Sequence, residues 1–186
     1  MATGTGFRKL DEHDVFRGDR ISVGRARFAA PDGTEFERDV VHHPGAVAIV
    51  PVIDDGNAVL LVRQYRPALD QHLLEIPAGL RDKEGEPPED TARRELTEEV
   101  GMRAGRIEKL CVFHNSPGFC DEQVHVYLGL DLEAAANGQD LQGIEEAHLT
   151  VERIALDDVA RLIHDGRLTD AKTIVGLTLA REALQG

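Results

Sequence analysis

Residues 78–102 read AGLRDKEGEPPEDTARRELTEEVGM and contain a helix with both ends marked. Pro88 suits the first helical position, where its missing N–H would have no partner in any case. Glu89 and Asp90 suit the positive end of the helix dipole, and Gly101 suits a left-handed C-terminal cap. These signals predict a helix over 88–100. At about 100° per residue, Ala92, Leu96 and Val100 fall on one apolar arc, with Glu95 and Glu99 immediately beside it. Glu98 lies three residues from Glu95, so all three carboxylates can project from one side, with Cβ atoms about 5–6 Å apart. A solvated acidic helix would set such carboxylates opposite its apolar stripe and interleave cations at i+4. Crowded anions bordering a core persist when something positive sits between them, and hard oxygen ligands select Mg²⁺ or Mn²⁺.

The surroundings of this helix read as an α/β domain. AVAIVPVI at 46–53 and AVLLVRQY at 58–65 flank Asp54-Asp55-Gly56-Asn57, which predicts two buried strands around a turn. IEKLCVFH at 107–114 and QVHVYLGLDL at 123–132 predict two more, the second with Val124, Val126 and Leu128 alternating. Helical periodicity recurs at 156–165, ended by Gly166, and at 169–184. At the N-terminal end, ISVGRARFA at 21–29 and TEFERDVV at 34–41 flank Pro31-Asp32-Gly33, the signature of a β-hairpin. The residues before it form a polar start. No repeat or low-complexity tract interrupts the chain, so strands and helices alternate irregularly in one domain, with the hairpin as an appendage.

Composition removes several classes of function. Apolar residues at 41% and charged residues at 30% exclude a mainly disordered chain. No apolar run approaches the roughly 20 residues of a membrane span, and no secretory leader is readable, so a cytoplasmic setting is expected. A formal charge of −13, from 34 acidic against 21 basic side chains, opposes binding to nucleic acid polymers or anionic membrane. A small phosphorylated substrate stays compatible if a divalent cation offsets the repulsion. Cys111 and Cys120 are the only cysteines, with no CxxC pair and no second cluster, so neither a disulfide framework nor a structural zinc site is supported. His42-His43 and the other histidines lack HExxH spacing, and no GxGxxG or Walker sequence is present. Ser116, near His114, lacks a nucleophile-elbow context.

Gly79, Glu86, Arg94-Glu95-Leu96, Glu98-Glu99, Gly101 and Met102 together resemble the Nudix box, GX5EX7REUXEEXGU with U a bulky aliphatic residue. Every fixed position from Glu86 onward is matched. The departure is one extra residue between Gly79 and Glu86, in the loop before the helix. Gln64-Tyr65-Arg66, Leu74-Glu75-Ile76-Pro77-Ala78-Gly79 and Ser116-Pro117-Gly118-Phe119 further resemble ADP-ribose pyrophosphatases, especially actinobacterial ones.

The resemblance implies a Nudix-type α/β/α sandwich with a mixed β-sheet over residues 45–186, and a β-rich dimerisation segment over 1–44. It implies hydrolysis of ADP-ribose, or a close nucleoside diphosphate sugar, to AMP and ribose 5-phosphate. Two or more Mg²⁺ (or Mn²⁺) ions would be held by Glu95 and Glu99, assisted by Glu98 and the backbone carbonyl of Ala78. Glu146, or less favourably Glu145, would take the proton from the attacking water. Arg66 would bind the diphosphate or pair with Glu75, and Arg94 would orient the neighbouring glutamates. Gly79, Glu86 and Gly101 would serve the motif structurally. Exchange of the hairpin across a two-fold axis would bring Arg25, Arg27 and Phe28 to the pocket of the other chain of a homodimer. A pyrophosphatase for GDP-mannose or another nucleotide sugar is the nearer alternative. A catalytically silent nucleotide-binding module is the more distant one, opposed by the presence of all three helical glutamates.

Overall fold

The computed structural model describes residues 6–141 and 144–185. They form two compact units: the chain up to Gly45 together with His114–Gln123, and Ala46–Phe113 together with the residues from Val124 onward. The first unit holds β1 (Arg8–Arg17), β2 (Ser22–Ala29) and β3 (Glu35–His42), an antiparallel sheet in that order. The predicted turn between β2 and β3 is present, with Gly33 N–H donating to Ala30 O at 3.0 Å and Thr34 N–H to the Asp32 side chain at 2.9 Å. The expected two-stranded hairpin is therefore corrected to three strands, since β1 occupies what read as a polar start. Its register shifts between Lys9 and Asp11 and again between Asp14 and Phe16. Each bulge resets the two-residue alternation by which a strand is recognised.

The second unit is built on β4 (Ala46–Ile53), β5 (Ala58–Arg66), β6 (Gln71–Glu75), β7 (Ala78–Leu80), β8 (Met102–His114), β9 (Gln123–Ala134) and β10 (Thr150–Ala155). The sheet runs β10-β5-β4-β9-β8, with β6 on β5 and β7 on β4. β4 and β9 are parallel, whereas β4 pairs antiparallel with β5 and β7, so the sheet is mixed. Its helices are α1 (Pro88–Glu95), α2 (Val159–His164) and α3 (Ala171–Gln185).

The unbroken apolar run of β4 reflects burial on both faces. Ala48, Val50 and Val52 pack with Leu162 of α2 and with Leu177 and Ala180 of α3. Val47 and Ile49 pack on the opposite face with Ala92, Leu96 and Val100. This is the expected α/β/α layering. Leu96 is fully buried, and excluding such a side chain from water contributes about 1.5–3 kcal/mol. That contact sets the rotation of α1 about its axis, which in turn decides where its glutamates lie.

Candidate active site

The loop 81–87 leads into α1 through a turn in which Glu86 N–H donates to Lys83 O at 3.2 Å. The buried Thr91 hydroxyl donates to the Glu86 carboxylate at 2.8 Å, fixing that side chain against the first helical turn. The extra residue of the loop is absorbed before Pro88, and the register of the helical glutamates is kept. The predicted helix is α-helical only to Glu95, and Leu96–Val100 continues it as a π turn. Gly101 ends it at φ 73°, ψ 24°, its N–H donating to the carbonyls of Leu96 and Thr97. Single π turns recur where side chains must be re-aimed, and this one lies between Glu95 and Glu99.

Glu95 is 8% exposed and Glu99 is 3% exposed. Desolvation pushes Glu95 up to about 7, reinforced by the charges of Glu98 and Glu146 and opposed by Arg94. Desolvation, with Glu95 and Glu146, pushes Glu99 up to about 8. Arg94 lies 2.7 Å from Glu95, 2.7 Å from Glu98 and 3.6 Å from Glu86, so it gathers three carboxylates. Even so, both buried acids stay well above the ordinary carboxylate range. The cations of the chain do not balance them.

β7 supplies the opposing wall. Glu99 Oε2 accepts the Ala78 N–H at 3.0 Å. Ala78 lies opposite Ala48, while the neighbouring sheet bond runs from Ile49 N–H to Pro77 O at 3.0 Å. Ala78 is therefore in a non-hydrogen-bonded pair, and both its N–H and its carbonyl point away from β4. The carbonyl thus faces the side of the strand on which Glu99 sits. At Gly79, a Cβ would collide with the Glu95 carboxylate, so only glycine lets that carboxylate rest on the strand.

This donor set fits a hard divalent cation. Two buried carboxylates with raised proton affinity and one free carbonyl converge on an edge of the sheet, and Glu98 lies one ion pair away through Arg94. Among the described residues, no three His, Cys, Asp or Glu side chains are grouped closely enough to hold a metal ion by themselves.

The second feature is Arg66 at the end of β5. Its Nε and Nη2 each donate to Glu75 at 2.7 Å, a bidentate fork on a carboxylate only 1% exposed. Glu99 is among the charges acting on Arg66, so the guanidinium lies within reach of the carboxylate pair. Glu146 acts on both Glu95 and Glu99, and its neighbour Glu145 is exposed. Of the residues singled out in the sequence, Ala78, Gly79, Arg66, Glu75, Glu86, Arg94, Glu95, Glu98, Glu99 and Glu146 are thus drawn together. Arg25, Arg27 and Phe28 belong to the other unit, and each has a partner there. Arg25 pairs with Asp39, Arg27 with Asp11 and Glu35, and Phe28 stacks on Phe36 with centroids 5.5 Å apart.

Three site residues escaped the sequence reading: Asp170, Lys172 and Thr173. Lys172 Nζ pairs with Glu75, and Thr173 Oγ1 accepts the Ile76 N–H at 2.9 Å. Asp170 before α3 was legible as a cap, but a lysine is almost never buried, and sequence periodicity does not reveal one.

A family model described as NUDIX domain matches residues 42–175. The chain belongs to the Nudix family. This Nudix hydrolase is 37% identical over 180 residues to the ADP-ribose pyrophosphatase of Bacillus subtilis (strain 168), covering 96% of this chain and 95% of that one. It is 36% identical over 180 residues to the ADP-ribose pyrophosphatase of Mycobacterium tuberculosis (strain ATCC 25618 / H37Rv), covering 97% and 86% respectively. A solved structure described as an ADP compounds hydrolase superposes with a TM-score of 0.82 at 26% identity, covering 97% of this chain and 95% of that chain. The Nudix box is thus set in a domain of the expected fold.

Proposed function

We propose that this Nudix hydrolase is a Mg²⁺-dependent ADP-ribose pyrophosphatase that releases AMP and ribose 5-phosphate. The observation that carries the reading is the placement of two buried, charge-poor glutamates on the Ala78-Gly79 edge, with the Arg66 fork beside them. The family supplies the reaction class, and the ADP-ribose pyrophosphatases it resembles along nearly its whole length support the substrate.

Glu95 and Glu99, with Glu98 and the Ala78 carbonyl, would hold the Mg²⁺ (Mn²⁺ being the substitute of like chemistry). When bound there, a divalent cation stabilises the charge that spreads over the nonbridging phosphoryl oxygens. Arg66 offers its remaining donors to the diphosphate, a match that its planar fork makes in a way a lysine cannot. Glu146 takes the proton of the attacking water, supported by its influence on both buried acids. Arg94 holds the glutamates in place and does not touch substrate.

The reading extends to the assembly. Residues 1–44 form a dimerisation segment and 45–186 the hydrolase domain. In a homodimer, Arg25, Arg27 and Phe28 serve the partner's pocket. The charge of −13 is consistent with a small substrate and no nucleic acid or membrane partner. Two free thiols, Cys111 and Cys120, suit a reducing cytoplasm. Among the described residues no helix is long and apolar enough to cross a membrane.

The deciding experiment incubates the purified chain with Mg²⁺ and a panel of ADP-ribose, GDP-mannose and other nucleotide sugars, dinucleoside polyphosphates and NADH, with product nucleotide resolved by chromatography. ADP-ribose is expected to give the highest kcat/KM. A higher value for GDP-mannose would transfer the assignment to that sugar nucleotide, and no release from any member would mark a silent binding module.

A further inference from the structure

The C-terminal helix grips the substrate-facing strands through Asp170-Ala171-Lys172-Thr173. The Asp170 carboxylate accepts the Thr173 N–H at 2.9 Å and the Thr173 hydroxyl at 2.6 Å, as an N-cap side chain does. Thr173 Oγ1 in turn accepts the Ile76 N–H, next to Glu75. Lys172 Nζ pairs with Glu75 Oε2 and lies 3.0 Å from Asp170. The charges therefore alternate from the start of α3 outward: Asp170, Lys172, Glu75, Arg66.

Such a pair is a poor source of stability, because desolvation of two buried ions offsets much of their attraction. Its effect is geometric. Glu75 Oε1 accepts from Arg66 Nε, and Oε2 is shared between Arg66 Nη2 and Lys172 Nζ. Desolvation alone would raise the Glu75 carboxyl, but the Arg66 fork and Lys172 together hold it below its ordinary range. A carboxylate held by three donors has one orientation, and a bidentate fork copies that orientation onto the guanidinium. Arg66 uses Nε and one proton of Nη2 on Glu75. Its other donors point away, and its side chain remains 35% exposed.

We propose that Lys172 is a positioning residue for phosphate recognition, holding Glu75 so that the free edge of Arg66 is aimed at the diphosphate of the substrate. The inference rests on the proposed role of Arg66 in binding that diphosphate. Loss of the Lys172 charge leaves Glu75 with one cation and a choice of orientations, so Arg66 loses its aim. Lys172 itself pairs with Glu75 and Asp170 and not with Glu95 or Glu99.

The test is a cycle of Arg66→Ala, Lys172→Met and the double variant, with Lys172→Arg as the form that keeps the charge, each assayed for KM and kcat on ADP-ribose with Mg²⁺. Lys172→Met is expected to raise KM about tenfold with kcat within about threefold, and Lys172→Arg to recover most of the loss. In the Arg66→Ala background, Lys172→Met should add nothing to KM, because the residue through which it acts is gone. The Arg66 Nε–H resonance in ¹⁵N spectra of substrate-free protein should shift and exchange faster in Lys172→Met than in Lys172→Arg, while calorimetric Mg²⁺ affinity stays unchanged. That spectroscopic comparison needs no substrate, so it holds even if another nucleotide is preferred. A parent-like KM in Lys172→Met, or an additive effect in the Arg66→Ala background, overturns the proposal. A parent-like KM in Arg66→Ala alone would instead remove Arg66 from substrate binding. If Lys172→Met does not fold, Lys172→Gln against Lys172→Arg makes the same comparison.

Discussion

Glu95 and Glu99 are both buried from water and Glu95 acts on Glu99 through its charge, and their proton affinities follow from that. Their folded values of about 7 and about 8 lie above the 4.5 of a free glutamate. The folded state therefore binds more protons than the unfolded chain between these limits, and stability falls as pH rises through them. With respect to this pair, metal-free protein is expected to be most stable below about pH 4.5 and to lose melting temperature steadily from there towards pH 8. Added Mg²⁺ should raise Tm little at pH 5 and much more at pH 8, as read by calorimetry with and without EDTA. An equal Mg²⁺ effect at both pH values would remove the pair from the metal site. Glu99→Gln keeps side-chain volume and removes one of these charges. It should lower kcat by several orders of magnitude while, in the absence of metal, melting above the parent at pH 9. Activity within about twofold of the parent would exclude Glu99 as a ligand. Glu146→Gln should depress kcat with little change in KM, and Glu145→Gln should do less. The reverse ranking would transfer the base role to Glu145.

Among the elements, the N-terminal sheet depends on a contact made across a whole strand. Glu12 on β1 and His42 on β3 are separated by β2, yet Glu12 Oε1 lies 2.5 Å from His42 Nε2. The side chain passes over Gly24, where a Cβ would collide with it. The other imidazole nitrogen lies 2.5 Å from Asp121, whose second oxygen accepts the His43 N–H at 2.9 Å. One histidine thus joins β1, β3 and the segment 114–123. Glu12 first, then Asp121, hold its imidazolium above the ordinary histidine range. A raised folded value means that the linkage contributes fully below about pH 6.5 and is lost as pH rises through the folded value. In NMR titrations, His42 is expected to titrate above the ordinary histidine value of about 6.5. Gly24→Val should push Glu12 aside and bring His42 back towards the ordinary value. An unchanged His42 titration in that variant would show that Glu12 is not its partner.

At the scale of the molecule, the first unit exposes Phe7, Val15 and Phe16, each more than half accessible. Phe28 and Phe36 are stacked together, with Phe7 edge-on to Phe36 at 6.2 Å. Apolar surface of this kind on a three-stranded sheet suits an isologous partner. Light scattering is expected to give the mass of two chains. Deletion of residues 1–41 should yield a monomer or an aggregate with severely weakened substrate binding. A monomeric intact chain with full activity would mean that Arg25, Arg27 and Phe28 do not serve a neighbouring pocket. The ion pairs of Arg25 with Asp39 and of Arg27 with Asp11 and Glu35 are solvent-exposed and weak enough to exchange for a ligand.

Periodicity and caps alone located the helix over 88–100, its apolar arc, the burial of Glu95 and Glu99, and the two-faced strand at 46–53. These are local properties: a residue's place on a helix face follows from its spacing, and the apolar arc then chooses which face is buried. The spacing could not show that the last turn is π, since the same residues satisfy either hydrogen-bond pattern until packing decides. Nor could it show β1, whose bulges erase the alternation, or the passage of Glu12 over Gly24. Lys172 is the plainest case. As a residue type it belongs in water, and only the meeting of α3 with β6, nearly a hundred residues apart in sequence, gives it a buried carboxylate to neutralise. What depends on neighbours along the chain was written in the sequence. What depends on charges from distant segments cancelling in a space without water was decided by the fold.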